Sequence, residues 1–326
     1  MWFQMVKPTV ISTFAGCGGS SLGYHLAGFK ELLAVEWDNN AVETFRLNFP
    51  DVPVYHGDIA KLTEAECAEL AGIGVGDLDV FDGSPPCQGF STAGKRKFDD
   101  PRNGLFKEYA RLIQELQPKV FVMENVTGMV KGYMKQAYLE IMRTLRGCGY
   151  KAKGQVLNAM YYNVPQSRQR VIVIGVREDL GIEPTHPKPQ TRPVTVKEAW
   201  KEVKETGERL YPRGGLKNIV HKIKQGESAS KYHPKGNYFG THRLSYNKPS
   251  GTIIKTAGAT MNLLLHPMID AGISINECKL LASFPESFVF VGGYKEAWAR
   301  IGNSVPPNLM RAIAENIKDN ILSKIG

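Results

Sequence analysis

Between Thr9 and Val176 the chain alternates between short β-branched runs and segments whose apolar residues recur at helical spacing. No other feature restricts the fold as much. "TVIST" (9–13), "ELLAVE" (31–36), "VPVY" (52–55), "DLDVF" (77–81), "KVFVMEN" (119–125), "KGQVLNA" (153–159) and "RVIVIGV" (170–176) read as strands. Helical patterns fall near 19–27, 38–48, 62–71, 104–116 and 134–147. Strands separated by helices of this length form βαβ units, which predicts an α/β fold with a mainly parallel, doubly wound sheet covered on both faces. Such sheets bind ligands beyond the carboxyl ends of their strands. The residues just after each strand are therefore the ones to read for chemistry.

The alternation stops near residue 178. From there to about 270 the sequence is rich in Pro, Gly, Lys and Tyr, with few periodic apolar positions, and reads as a smaller, irregular domain. It is also where the charge sits. Residues 201–260 hold twelve Lys or Arg against four acids, an excess of eight in a chain whose net charge is +9. Clustered cations gain affinity by releasing counterions from phosphates, so this segment is expected to meet a polyanion. Order returns at "SINECKLLASFP" (274–285), and Leu309, Ile313, Ile317 and Ile321 mark a final amphipathic helix. The expected division is 1–177 plus 286–326 as one discontinuous domain, with 178–285 as the smaller domain and hinge. No apolar run approaches the roughly 20 residues of a membrane helix, and the first residues lack the pattern of a secretory signal. The five cysteines are scattered without a C-x-x-C pair, so neither a metal site nor a disulfide framework is expected, and each thiol is by default a small buried hydrophobe.

The strand ends carry the chemistry. After the first comes "FAGCGGSSLG" (14–23), whose glycines permit a tight turn and a close ligand. Ser21 stands where the dinucleotide fingerprint needs its third glycine, which argues against a nicotinamide dehydrogenase. Glu36 ends the second strand, twenty residues after Gly16, where an acid accepts hydrogen bonds from a ribose diol. Trp37 beside it suits stacking on a purine, and Asp58 in "HGDI" suits an exocyclic amine. Together they point to an adenosine-bearing cofactor. The fourth end is "GSPPCQGFS" (83–91), in which two prolines fix the backbone directly before Cys87. The fifth is "MENV", which puts Glu124 at the neighbouring rim as a candidate general acid. "NVPQSRQR" (163–170) brings Gln166, Arg168 and Arg170 to the start of an apolar strand, where unpaired cations are costly.

In this order, "FAGCGGSSLG", "VEWD", "GDI", "GSPPCQGFS", "MENV", "QSRQR" and "IGNSVPPNL" resemble the conserved blocks of the bacterial DNA (cytosine-5) methyltransferases of restriction–modification systems. The resemblance spans nearly the whole chain. It implies a methyltransferase-like α/β domain that uses S-adenosyl-L-methionine, with Phe14, Gly16, Gly18, Gly19, Glu36, Trp37, Asp58, Ile59, Pro85, Asn303 and Ser304 at the cofactor. It implies Cys87 as the nucleophile, Glu124 as the group holding a flipped cytosine, and Arg168 and Arg170 beside them, Arg170 reaching the base. Gln88 and Ser91 would touch phosphate, and the basic segment would be the target-recognition region, with Arg243 and Thr252 in "RLSYNKPSGTIIKTAG" (243–258) as contacts to DNA. The implied partner is duplex DNA, with a cognate restriction endonuclease acting separately. The protein is expected to be a monomer in the bacterial cytoplasm, near the nucleoid.

Two other readings share parts of this pattern. A tRNA cytosine-5 methyltransferase would keep most of the blocks, but the basic segment favours duplex DNA. A DNA-binding regulator with a decayed enzyme core would not need the intact set of Cys87, Glu124 and Arg170. The chain also departs from the family pattern: Ser12 replaces a frequent acid, Gly272 and Asn276 stand where arginine is common, and Ala282 replaces a glutamine. Altered packing in that last block is expected, with the chemistry kept.

Overall fold

A computed structural model of the chain describes residues 7–86, 104–132, 134–201, 203, 207–233, 236 and 240–325. The chain divides into two compact units. The first comprises Met1–Leu157, Gln169–Lys188 and Met310–Gly326; the second comprises Asn158–Arg168 and Pro189–Leu309. Residues 286–309, grouped from sequence with the larger domain, fall in the second unit.

The first unit is built on seven strands: β1 (Thr9–Thr13), β2 (Lys30–Glu36), β3 (Val54–His56), β4 (Val80–Gly83), β5 (Val120–Val126), β6 (Tyr150–Asn158) and β7 (Gln169–Arg177). Their order is β3-β2-β1-β4-β5-β7-β6. β1 pairs in parallel with β2 and β4, β2 with β3, and β4 with β5, while β7 runs antiparallel to β5. The mainly parallel sheet expected from the alternation is present. β7 reverses for a reason of length: the stretch 159–168 is too short for the helical crossover that a parallel return requires. β4 begins at Val80, later than its sequence pattern, because the Asp79 carboxylate is engaged at the strand's foot. It accepts the Thr9 N–H at 2.8 Å and pairs with Lys119 at 2.8 Å.

The helices are α1 (Gly19–Leu26), α2 (Asn39–Asn48), α3 (Glu64–Ala71), α4 (Gly104–Leu116), α5 (Met134–Gly147) and the helix Pro307–Asn320 that enters this unit at Met310. Local chemistry sets their ends. Asp38 caps α2 by accepting the Ala41 N–H at 2.9 Å, and Thr63 caps α3 through the Glu66 N–H. Gly72 stops α3 in a left-handed conformation. On one face of the sheet Ile11, Leu33, Phe81, Phe121 and Val173 meet Cys67 of α3, Leu112 and Ile113 of α4, and Ile141 and Leu145 of α5 in one core. On the other face Tyr24 of α1 reaches Asp82, and Lys318 of the last helix donates to Ala27 O at 2.8 Å. No helix among the described residues is long and apolar enough to cross a membrane.

The second unit has little regular structure: two-residue strands β8 (His242–Arg243) and β9 (Leu264–Leu265), a four-residue helix Val196–Ala199, and helices Ile275–Leu281 and Tyr294–Asn303. A small core of Leu216, Val220, Ile223, Ala229, Leu263 and Leu265 supports it. Cys17, Cys67, Cys148 and Cys278 are buried thiols, as the sequence led us to expect.

Gly175 on β7 lies opposite Phe121 on β5, and a Cβ there would run into the Phe121 ring. Gly175→Ala should destabilise the protein by about 1–3 kcal/mol through overpacking. Urea unfolding checks this; an unchanged midpoint would mean the sheet relaxes around the methyl.

Candidate active site

The turn after β1 needs its glycines. Phe14 takes a positive φ of 53°, rare for a bulky residue, and Gly16 and Gly18 follow at +57° and +95°. A Cβ on Gly18 would collide with Phe49, whose ring stacks on His25 and lies tilted against Phe45. Glu36, at the end of the neighbouring strand, closes the turn. Its Oε2 accepts the Gly16 N–H at 2.8 Å, and its Oε1 accepts the N–H groups of Trp37 and Asp38, both at 2.9 Å. A carboxylate has about four acceptor positions, so three backbone bonds leave one for a ligand hydroxyl. Trp37 next to it is 76% exposed, a large indole face without cover. Asp58 caps the turn after β3, its Oδ1 accepting the Ala60 N–H at 3.0 Å, and Ile59 beside it is buried. Gly19 opens α1. These residues line the carboxyl ends of β1, β2 and β3.

The next two ends are joined by a residue whose role the sequence reading did not assign. Asn125, inside "MENV", donates from Nδ2 to Pro85 O at 2.9 Å, and its Oδ1 accepts the Val126 N–H. It fastens the start of the Pro85–Pro86 turn to β5. The only signal for it in sequence was an amide at the end of an apolar strand. In the parallel pairing of β4 with β5, Gly83 faces Met123, so Glu124 lies one step beyond and borders the chain entering that turn. Glu124 is paired in turn. Arg170 lies across from Val126 on antiparallel β7, which makes Glu124 its diagonal neighbour, and Arg170 Nε is 2.7 Å from Glu124 Oε1. Both side chains are nearly buried. The costly cation of the sequence reading thus meets a carboxylate. Cys87, Gln88 and Ser91 lie outside the described residues.

In the second unit the expected site residues play different parts. Arg168, read from sequence as catalytic, is buried and donates to the carbonyls of Ile253 and Gly302, each at 2.9 Å. Arg243, read as a DNA contact, is 5% exposed. Its five N–H groups meet the carbonyls of Ile223, Val220, His266 and Ile269 and the Asp270 carboxylate. No donor is left for a base or phosphate, so the expectation for Arg243 is corrected: it organises the core of this unit. Thr252 is exposed and donates to Ser167 O at 2.9 Å. Asn303 ends its helix, and Ser304 donates back to Arg300 O. Gly302 is tightly fitted, since a Cβ there would lie 2.5 Å from Ile254 O. The departure at Gly272 also has a physical account. Arg209, from elsewhere in this unit, is bidentate to Glu277 at 2.6 Å and donates to Gly272 O. A side chain at 272 would press on Leu263 and Leu210.

Residues 8–319 match the family described as C-5 cytosine-specific DNA methylase. The chain belongs to that family. It is a methyltransferase of the restriction–modification type, similar to M1.HphI of Haemophilus parahaemolyticus (36% identical, covering 95% of this chain and 86% of that protein). It is also similar to M.PspPI of Psychrobacter sp. (34%, covering 95% and 78%). Among solved structures, an Escherichia coli prophage protein assigned as a DNA modification methyltransferase superposes with a TM-score of 0.79 at 25% identity, over 97% of this chain and 100% of that one. The Dnmt2 methyltransferase of S. pombe shares the fold, with a TM-score of 0.68 at 17% identity over 96% and 99% of the two chains.

Arg243→Met would take the donors from four carbonyls, of which those of Ile223 and Val220 are buried, and from the half-exposed Asp270 carboxylate, a loss of roughly 1–3 kcal/mol for each buried acceptor. The expected result is a lowered thermal midpoint with DNA affinity following the folded fraction. A fully stable variant with weakened DNA binding would return Arg243 to the role of a DNA contact.

Proposed function

We propose that this enzyme transfers a methyl group from S-adenosyl-L-methionine to carbon 5 of a cytosine flipped out of duplex DNA, through a covalent intermediate on Cys87. The observation that carries the reading is the Glu124–Arg170 pair at the rim beside the Pro85–Pro86 turn, with Glu36 and Trp37 at the same end of the sheet. The first unit would perform the chemistry. The second, which holds the basic segment 201–260, would recognise the target.

The residues present suit the methyl donor. Glu36 has an acceptor position left for a ribose hydroxyl, Trp37 offers a face for the adenine with Phe14 nearby in the turn, and Asp58 Oδ2 is available for an amine. Gly16, Gly18, Gly19, Ile59 and Pro85 would complete the site. The donor supplies a methyl group on a sulfonium, an electrophile that needs no further activation.

Cytosine carbon 5 is a poor nucleophile because the ring is aromatic. Addition of the Cys87 thiolate to carbon 6 breaks the aromaticity and makes carbon 5 enamine-like. Glu124 would hold or protonate N3 and so stabilise the negative charge that develops in the ring, while Arg170 orients the acid and reaches the base oxygen. Once carbon 5 has taken the methyl group, its proton would pass to a solvent water or hydroxide, and Cys87 would leave carbon 6 as a thiolate, which restores the ring. None of these atoms is accessible in a stacked duplex. Flipping the base costs a few kcal/mol, which phosphate contacts from the basic unit and from Gln88 and Ser91 would offset. The protein would act as a monomer in the bacterial cytoplasm, with any cognate endonuclease a separate protein.

Bisulfite sequencing of DNA from cells expressing the protein should show protected cytosines in one sequence context, and purified enzyme should methylate duplex DNA in preference to tRNA. Protection absent from the DNA, with transfer to tRNA instead, would overturn the substrate. Cys87→Ala should abolish turnover while leaving cofactor and DNA binding largely intact; residual wild-type methylation would rule out the covalent route. Glu124→Gln should slow single-turnover methyl transfer by roughly 10²–10⁴-fold, the range of a lost general acid. An unchanged rate would reduce Glu124 to a structural partner of Arg170.

A further inference from the structure

We propose that the buried carboxyls Glu31 and Asp82 keep a proton in the folded enzyme and act as positioning residues. They fasten the first turn of α1, and with it the glycine turn after β1, to the strand that leads into Pro85–Pro86.

Both acids lie on the strands beside β1, and neither belongs to the site described above. Asp82 is a charged residue type inside a four-residue strand, 2% exposed, directly opposite Ser12 in the parallel register of β1 with β4. Glu31 is buried on β2. The start of α1 reaches down to both, with Ser20 and Ser21 in its first turn and Tyr24 in its second. Tyr24 donates its hydroxyl to Asp82 Oδ1 at 3.2 Å, Ser20 bonds to the same carboxyl, and Ser21 donates to Glu31 Oε1 at 2.8 Å. On β1, Thr13 donates to Asp82 O at 2.9 Å. α1 has no side-chain cap of its own, because its N-cap is Gly18. The hydroxyls of this turn therefore tie the helix start to the sheet through carboxyls, and Asp82 stands three residues before Pro85.

The proton follows from burial without a counter-ion. Glu31 and Asp82 are buried, the partners they meet are neutral hydroxyls, and among the described residues no Lys, Arg or His pairs with either carboxyl. A carboxylate removed from water without a compensating cation is disfavoured against the neutral acid. Burial pushes Glu31 up to about 7, against the opposing bonds from Ser12 and Ser21. Burial likewise pushes Asp82 up to about 8; Glu31 and Glu124 add to the rise, and Tyr24 and Ser20 oppose it.

The consequence for pH has a definite sign. In the unfolded chain both acids lose their protons near pH 4. Between that value and the folded-state values the native protein holds protons the unfolded chain has lost, so these groups lower stability as pH rises, and the loss levels off above about 8. Asp82→Asn keeps the shape and removes the titration.

The experiment compares wild type, Asp82→Asn, Asp82→Leu and Tyr24→Phe in thermal unfolding from about pH 5 to about pH 9, and in steady-state methyl transfer at neutral pH. The midpoint of Asp82→Asn should gain on wild type as pH rises to about 8 and then run parallel to it. Asp82→Leu and Tyr24→Phe should raise KM for S-adenosyl-L-methionine by about tenfold, more than they lower kcat, while Asp82→Asn stays near wild type. Parallel midpoints for wild type and Asp82→Asn across the whole range would overturn the proton. Wild-type KM in a folded Asp82→Leu or Tyr24→Phe would overturn the positioning role. The kinetic arm rests on the proposed reaction. If wild type itself transfers no methyl group, that reading fails, and the unfolding arm still decides the carboxyls.

Discussion

Parallel pairing of β1 with β2 and with β4 is the constraint on which the rest of the first unit depends. It brings the carboxyl ends of three strands to one edge. The turns leaving those strands must then share that edge: the glycine turn, the Glu36–Trp37 corner and the approach to Pro85–Pro86. Parallel β5 adds Glu124 and Asn125 to the row, and antiparallel β7 brings the start of a strand, with Arg170, to the same place. A single reversal of direction thus lets a cation from the amino end of β7 meet an acid from the carboxyl end of β5.

Buried polar groups then set the fine positions, because a polar atom removed from water must find a partner or lose several kcal/mol. Glu36 answers three backbone N–H groups, Asn125 holds a carbonyl of the proline turn, and Tyr109 donates to Val122 O across the core. In the second unit, where regular strands are too short to satisfy the backbone, arginines take over that task. Arg243 gathers four carbonyls, Arg168 two, and Arg209 one along with the Glu277 carboxylate. Part of the positive charge of this segment is therefore internal scaffolding. Arg213, Lys217, Lys222, Lys224, Lys248 and Lys255 remain exposed to meet a polyanion.

The strands and helices of the first unit were legible because hydrophobic periodicity follows directly from geometry: period two on a pleated strand, 3.6 on a helix. β4 was read three residues early, since the sequence pattern does not reveal that Asp79 pairs with Thr9 and Lys119. Arg243 was misread for a related reason. A lone arginine in a basic stretch looks the same whether it faces solvent or five acceptors of its own domain. Asn125, Glu31 and Asp82 were passed over because their partners are 40, 10 and 58 residues away in the chain, at distances no local pattern records.

By itself the sequence determined the order of elements, the glycine turn, the proline-stiffened approach to Cys87 and the family to which they belong. Each of these depends on residues adjacent in the chain. Only the tertiary structure decided which acid meets which cation, which arginines are scaffold, and which carboxyls are sealed beneath α1. Pairing and burial depend on strands brought together from distant parts of the chain, and the cost of burying a charge is defined only once its surroundings have closed around it.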